Sequence, residues 1–169
     1  SDVLISPDID HLDFCGVRFG LLPLPGHSAG QMGFITPDGT AYLADCLLGP
    51  EQLQRFKLPT IMHIARDLTV MESLRSLRCP AYVLAHKTSV TELGPVIDAN
   101  IAAIHDKGRR LLTADQWLYA YCRQEGIHTH DPFRISVTQR NFLHLSNWLV
   151  DEGQVALYHD LCVSRYSKV

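Results

Sequence analysis

Three residues in this chain combine a metal-binding side chain with a position that could use it. His27 follows the apolar run Leu21-Leu22-Pro23-Leu24 and opens a glycine-rich loop from Gly26 to Gly33. Asp45 follows Ala41-Tyr42-Leu43-Ala44, and His86 follows Ala81-Tyr82-Val83-Leu84-Ala85. Short apolar runs of this kind suit buried strands. A side chain just past the carboxyl end of a strand projects into the crevice where α/β folds place their ligands. Two imidazoles and a carboxylate at such positions suit a borderline-soft divalent cation such as Zn²⁺. Singly, each has a plainer explanation: a structural histidine at a strand end, or an aspartate capping a loop. The ordered set of three carries the weight.

The elements that must hold these residues can be read from periodicity and turn chemistry. Residues 13–24 suit one or two short strands, and Gln31 to Thr36 suits another. Pro37-Asp38-Gly39-Thr40 is a turn signal that predicts a hairpin into residues 41–44. The segment 47–60 reads as irregular. From Ile61 to Leu77 apolar residues recur at helical spacing, and Cys79-Pro80 ends that helix. A buried strand over 81–85 runs into His86. Further helices are predicted over Glu92–Gly108, from Thr113-Ala114-Asp115-Gln116 to Gly126, and over Val137–Glu152. Two strands, 154–159 and 162–166, close the chain. The natural division falls near residue 108, with mixed α/β structure over 1–108 and a helical unit with a hairpin over 109–169. Trp117, Tyr121, Phe142 and Trp148 read as core of that second unit.

Leu24-Pro25-Gly26-His27-Ser28-Ala29-Gly30-Gln31-Met32-Gly33 resembles the Pro-Gly-His-[Ser/Thr]-x-Gly metal loop of the metallo-β-lactamase superfamily. Tyr42-Leu43-Ala44-Asp45 resembles its next motif, a strand ending in the bridging aspartate, and Tyr82-Val83-Leu84-Ala85-His86 its last, a strand ending in a histidine. The likeness covers roughly residues 15–105. It implies the C-terminal half of an αββα sandwich, followed by a winged-helix-like α+β tail over 109–169. It also implies a metal-dependent hydrolase of ester, thioester or amide-type bonds. His27 would bind a first metal, Asp45 would bridge two metals and serve catalysis, and His86 would bind the second. The implied cofactors are two divalent ions, zinc first, with iron or manganese able to occupy such a site. A bridging water that loses its proton near neutral pH would be the nucleophile. Gly26, Gly30 and Gly33 would let the backbone turn tightly around His27.

The chain departs from the family pattern in three places. Ala44 stands where the family commonly has glycine, and Ala85-His86-Lys87 where it has Gly-His-Gly. The His-x-His-x-Asp-His cluster is absent upstream of residue 15, so the ligand set is incomplete and the chain alone is expected to be inactive. His128-Thr129-His130-Asp131 looks like the start of that cluster but lies after the last motif and reads as a loop coincidence.

Composition narrows the rest. With 169 residues, 46% hydrophobic and 20% charged, the chain can bury one sizeable core. A net charge of -3 and a pI near 6.3 lack the basic excess of a nucleic-acid binder. Residues 101–169 hold eight Lys/Arg against seven Asp/Glu, which opposes DNA binding by a winged tail. No apolar run approaches the roughly 18 residues that span a bilayer, and no secretory signal opens the chain. The five cysteines form no Cys-x-x-Cys pair, which suits a reducing compartment and a cytoplasmic location. The start at Ser1 suggests a processed or truncated beginning. The expected partners are a small-molecule substrate and, through the exposed face of a half-sandwich, a second copy or another chain. Nucleic acid and membrane are not expected. Two rival readings remain at this point, a non-catalytic interaction module of the same fold and a DNA-binding regulator.

Overall fold

Turn chemistry builds the antiparallel part of the main sheet in the computed structural model, which describes residues 5, 8–58, 60–114, 118–160 and 163–169. β1 (His11–Phe14) and β2 (Val17–Pro23) are joined by Cys15 and Gly16. Both turn residues have positive φ, 50° and 77°, as a two-residue hairpin with the right twist requires. β3 (Met32–Ile35) and β4 (Ala41–Tyr42) follow, joined through a turn in which the Asp38 carboxylate accepts the Thr40 backbone N–H at 3.2 Å. β5 (Tyr82–Leu84) then lies parallel to β4, and β6 (Thr88–Val90) returns antiparallel to β5. The six strands lie in sequence order, with the parallel pair at β4 and β5.

That parallel pair needs a long crossover, and the segment between β4 and β5 supplies it. The crossover holds α1 (Pro50–Arg55), α2 (Ile64–Ser73) and a 3₁₀ turn at Leu74–Ser76. After the sheet come α3 (Gly94–Thr113), α4 (Leu118–Glu125), α5 (Pro132–Asp151) and a hairpin of β7 (Val155–Asp160) with β8 (Val163–Lys168).

Strand register sorts the sheet residues into two faces. Leu22, Ile35, Ala41, Tyr82 and Leu84 share one face, where Ala41, Tyr82 and Leu84 are buried. They join Leu43, Ile64, Ile97, Leu111, Tyr121 and Leu149 in a single apolar cluster that reaches from the sheet into α5. The opposite face carries Leu12, Phe14, Val17, Phe19, Leu21, Phe34, Tyr42 and Val83. Among the described strand residues it carries no charge, yet Phe14 is 64% exposed and Phe34 39% exposed. Phe34 stacks on Tyr42 at 4.7 Å and meets Phe19 edge-on at 6.0 Å.

Several elements differ from the sequence expectation. The segment read as irregular contains α1, with Pro50 in its first turn, where a missing N–H costs nothing. α3 runs on to Thr113, five residues past Gly108, because buried Ile104 and Leu111 keep its core stripe continuous. α5 begins at Pro132 instead of Val137, because Asp131 caps it by accepting the Phe133 N–H at 3.0 Å. Asp131 is therefore a helix cap and His128 and His130 lie in the loop before it, as the coincidence reading holds. Tyr121, Phe142 and Trp148 are buried, while Trp117 and residues 115 and 116 lie outside the described residues. No helix among the described residues is long and apolar enough to cross a membrane.

Candidate metal centre

Parallel pairing of β4 with β5 sets Ala41 beside Tyr82 and Tyr42 beside Val83, so the carboxyl ends of both strands open at one edge. Neither strand ends in the extended form that the sequence suggested. Ala44 turns to φ 48°, and Asp45 sits inside a 3₁₀ turn, Ala44–Cys46. His86 itself has φ 60° and ψ 35° inside a second short turn, Ala85–Lys87. Left-handed backbone is costly for residues with a Cβ and clusters at functional sites. These two bends carry the neighbouring side chains toward each other, and His86 Nε2 stands 3.3 Å from Asp45 Oδ1. Two ligands held at about 2.1 Å by a tetrahedral ion would stand about 3.4 Å apart. The pair therefore fits one divalent cation in donor type and in spacing. The Phe56 ring, at the C-terminus of α1, packs 5.4 Å from the His86 ring and limits its swing.

His27 lies in the loop between β2 and β3, which α2 grips from below. The Gly26 carbonyl accepts the His63 N–H at 3.0 Å and the Met62 N–H at 3.1 Å. A Cβ on Gly26 would come within 2.6 Å of the Asp67 Cα, and one on Gly33 within 2.5 Å of the Tyr42 carbonyl oxygen. Neither glycine has positive φ, and Gly30 has open space around it. The expected tight turn is thus corrected: Gly26 and Gly33 are needed for close approach, not for an unusual backbone angle.

Asp67 is the residue the sequence reading missed. It is 1% exposed, and neither carboxylate oxygen has a hydrogen-bond partner among the described residues. Burial pushes its carboxyl up to about 7, against a smaller downward pull from the His27 backbone amide that falls short of a hydrogen bond. An orphaned buried carboxylate demands an explanation. A sequence signal existed: residues 64, 67, 68 and 71 share one helix face, so Asp67 falls on the buried side of α2. Cys46, next to Asp45, is also buried, and burial, helped by the Asp67 charge, raises its thiol to about 12.

A cavity of about 280 Å³ joins these residues. His27, Asp45, His86 and Asp67 line it together with Leu53, Phe56, Ile61, Met71 and Ile104. The predicted residues are thus brought to one cavity, but only Asp45 and His86 are in direct register. No three His, Cys, Asp or Glu side chains among the described residues form a ready metal-holding group. His63 is the exposed N-cap of α2 and is not among the residues that line the cavity. The side chain of Lys87 lies outside the described residues.

No protein-family model matches the sequence, and no curated protein does. Solved structures do match. A metallo-beta-lactamase family protein from Thermus thermophilus superposes with a TM-score of 0.75 at 16% identity, over 100% of this chain and 55% of its own. A beta-lactamase domain protein from Burkholderia ambifaria gives 0.69 at 16% identity, over 95% of this chain and 50% of its own. The chain spans about half the length of each. Over that half, it has the fold of the metallo-β-lactamase superfamily.

Proposed function

We propose that this chain carries the C-terminal share of the active site of a metal-dependent hydrolase acting on an ester, thioester or amide-type bond. The observation that supports this most is the Asp45–His86 pair, 3.3 Å apart at the ends of two parallel strands and opening on the cavity that His27 shares. His27, Asp45 and His86 would hold divalent metal, zinc first. When bound, the metal supplies a Lewis acid and an activated water. The chain's own residues do the rest. Asp45 and His86 are held by bent backbone and by the Phe56 ring, so their donor atoms are set before any ion arrives. Leu53, Ile61 and Ile104 give the cavity beside them apolar walls. The superposed structures extend well beyond the matched half, which supports further ligands coming from sequence outside this chain. A calorimetric titration with zinc tests the reading. Saturable binding that Asp45→Asn abolishes supports it, and no binding by a folded chain contradicts it.

The uncharged, partly exposed sheet face supports a second copy of this chain as its partner. A face without charge meets its own copy without repulsion, and large exposed apolar patches mark association sites. Light scattering that finds a clean monomer at micromolar concentration would refute the association.

A further inference from the structure

The cavity continues past the proposed metal ligands along one stripe of α3. Asn100, Ala103, Ile104 and Lys107 line it, and their spacing places them on a single helix face. Asn100 anchors the near end. Its side chain accepts the Leu48 N–H at 3.0 Å and donates to the Leu48 carbonyl at 2.9 Å, three residues from Asp45. Lys107 stands seven residues farther along the helix, about 10 Å away at 1.5 Å per residue. The lining is otherwise largely apolar, with Leu53, Phe56, Ile61, Met71, Ala103 and Ile104 beside the single hydroxyl of Thr60.

The two ends of this channel differ in charge. Asp45 and the buried Asp67 line the cavity beside His27, so the near end carries two carboxyl groups and no lysine or arginine among its lining residues. At the far end the Lys107 side chain is 14% exposed, with Nζ 4.0 Å from Glu125. Glu125 is already bound to Arg110 at 3.1 Å. Arg110 also binds Asp106 at 2.7 Å, so two carboxylates, Glu125 and Asp106, stand among four cations, Lys107, Arg110, Arg109 and Lys57, and the far end keeps a net positive charge. Such a charge favours an anion that brings its own apolar body with it.

We infer that the channel is an acyl-binding site for carboxylic esters or thioesters whose apolar chain ends in an anionic group, with the scissile carbonyl at Asp45 and His86 and the anion at Lys107. The substrate class rests on the hydrolase reading above; the channel itself does not. In the reaction, water oxygen forms the new bond to the acyl carbon and the bond to the leaving oxygen or sulfur breaks. One proton of the water goes to that leaving group.

Calorimetry with octanoate, 1-octanol and acetate on the metal-free chain tests the inference. Octanoate and octanol share one apolar chain and differ in the charge of the head group, so their difference, compared between the wild-type chain and a Lys107 variant, reports the Lys107 end. The expected result is that octanoate binds about fivefold or more tightly than octanol, and acetate not at all. Lys107→Met keeps the packed stem and leaves Glu125 its Arg110 partner. It should erase the octanoate preference while octanol still binds. Ala103→Phe should weaken both ligands. Equal binding of octanoate and octanol by the wild-type chain would overturn the inference, as would octanoate affinity unchanged in Lys107→Met. Zinc binding without octanoate binding would defeat this inference and leave the metal reading intact. Octanoate binding without zinc binding would uphold the channel and defeat the metal reading.

Discussion

Ala44→Gly should make this protein more stable, although glycine usually does the reverse. Ala44 has φ 48° in the turn that delivers Asp45. An L-residue in that region carries a strain of about 1–2 kcal/mol from its Cβ. Glycine removes the strain but adds unfolded-state freedom, which costs about 0.4–1 kcal/mol. The loss of a half-buried methyl trims the gain further. The net expectation is a stabilisation of about 0.5–1 kcal/mol, or a rise in Tm of about 1–4 °C for a chain of this size. Urea denaturation and a thermal melt measure it. Ala102→Gly, at an exposed position inside α3, is the control and should lose about 1 kcal/mol. If both variants are destabilised equally, Ala44 is not in left-handed backbone, and the local account of how Asp45 is aimed is wrong.

Three other perturbations follow from the same geometry. Gly26→Ala places a methyl against Asp67 backbone and should cost about 1–3 kcal/mol in urea denaturation, with loosening of the His27 loop; an unchanged midpoint would refute the tight contact. Asp67 has its folded carboxyl raised to about 7 from an ordinary 3.8, so its contribution is fully present below pH 4 and is lost as pH rises through 7. Between pH 4 and pH 8 the wild-type chain should therefore lose roughly 2–4 kcal/mol relative to Asp67→Asn, and parallel pH profiles for the two proteins would contradict the burial argument. Phe34→Lys puts a charge in the middle of the uncovered sheet face, where Phe34 stacks on Tyr42; sedimentation should shift toward monomer with little change in secondary structure, and an unaltered oligomer would show that association uses another surface.

What the sequence made legible was the set of long-period and strand-end signals. The Pro25-Gly26-His27 loop, the hairpin at Asp38-Gly39 and the apolar periodicity of α2 all rest on local chemistry that a single chain displays. The exposed sheet face is expected only from the family resemblance, which implies half of a sandwich. What was hidden depends on tertiary contact. Nothing local shows that Ala44 adopts positive φ, which alanine disfavours, and histidine is too weakly enriched there to mark His86. α1 is six residues long, too short for a periodic signal, yet it supplies Phe56 beside His86. Asp67 shares a helix face with Ile64 and Met71, a signal of burial, but only the packing against Gly26 shows that its carboxylate has no hydrogen-bond partner among the described residues.

The central claim is that His27, Asp45 and His86 converge on a divalent cation. Cobalt(II) substitution reads this directly, because its visible absorption reports the ligands one by one. The account predicts a ligand-field spectrum in the wild-type chain that changes or disappears in His27→Ala, Asp45→Ala and His86→Ala, with metal affinity down at least about tenfold in each. The exposed histidines His63 and His128 serve as controls, and their alanine variants should match wild type. A spectrum that survives all three ligand substitutions, or that responds to His128→Ala instead, would contradict the account.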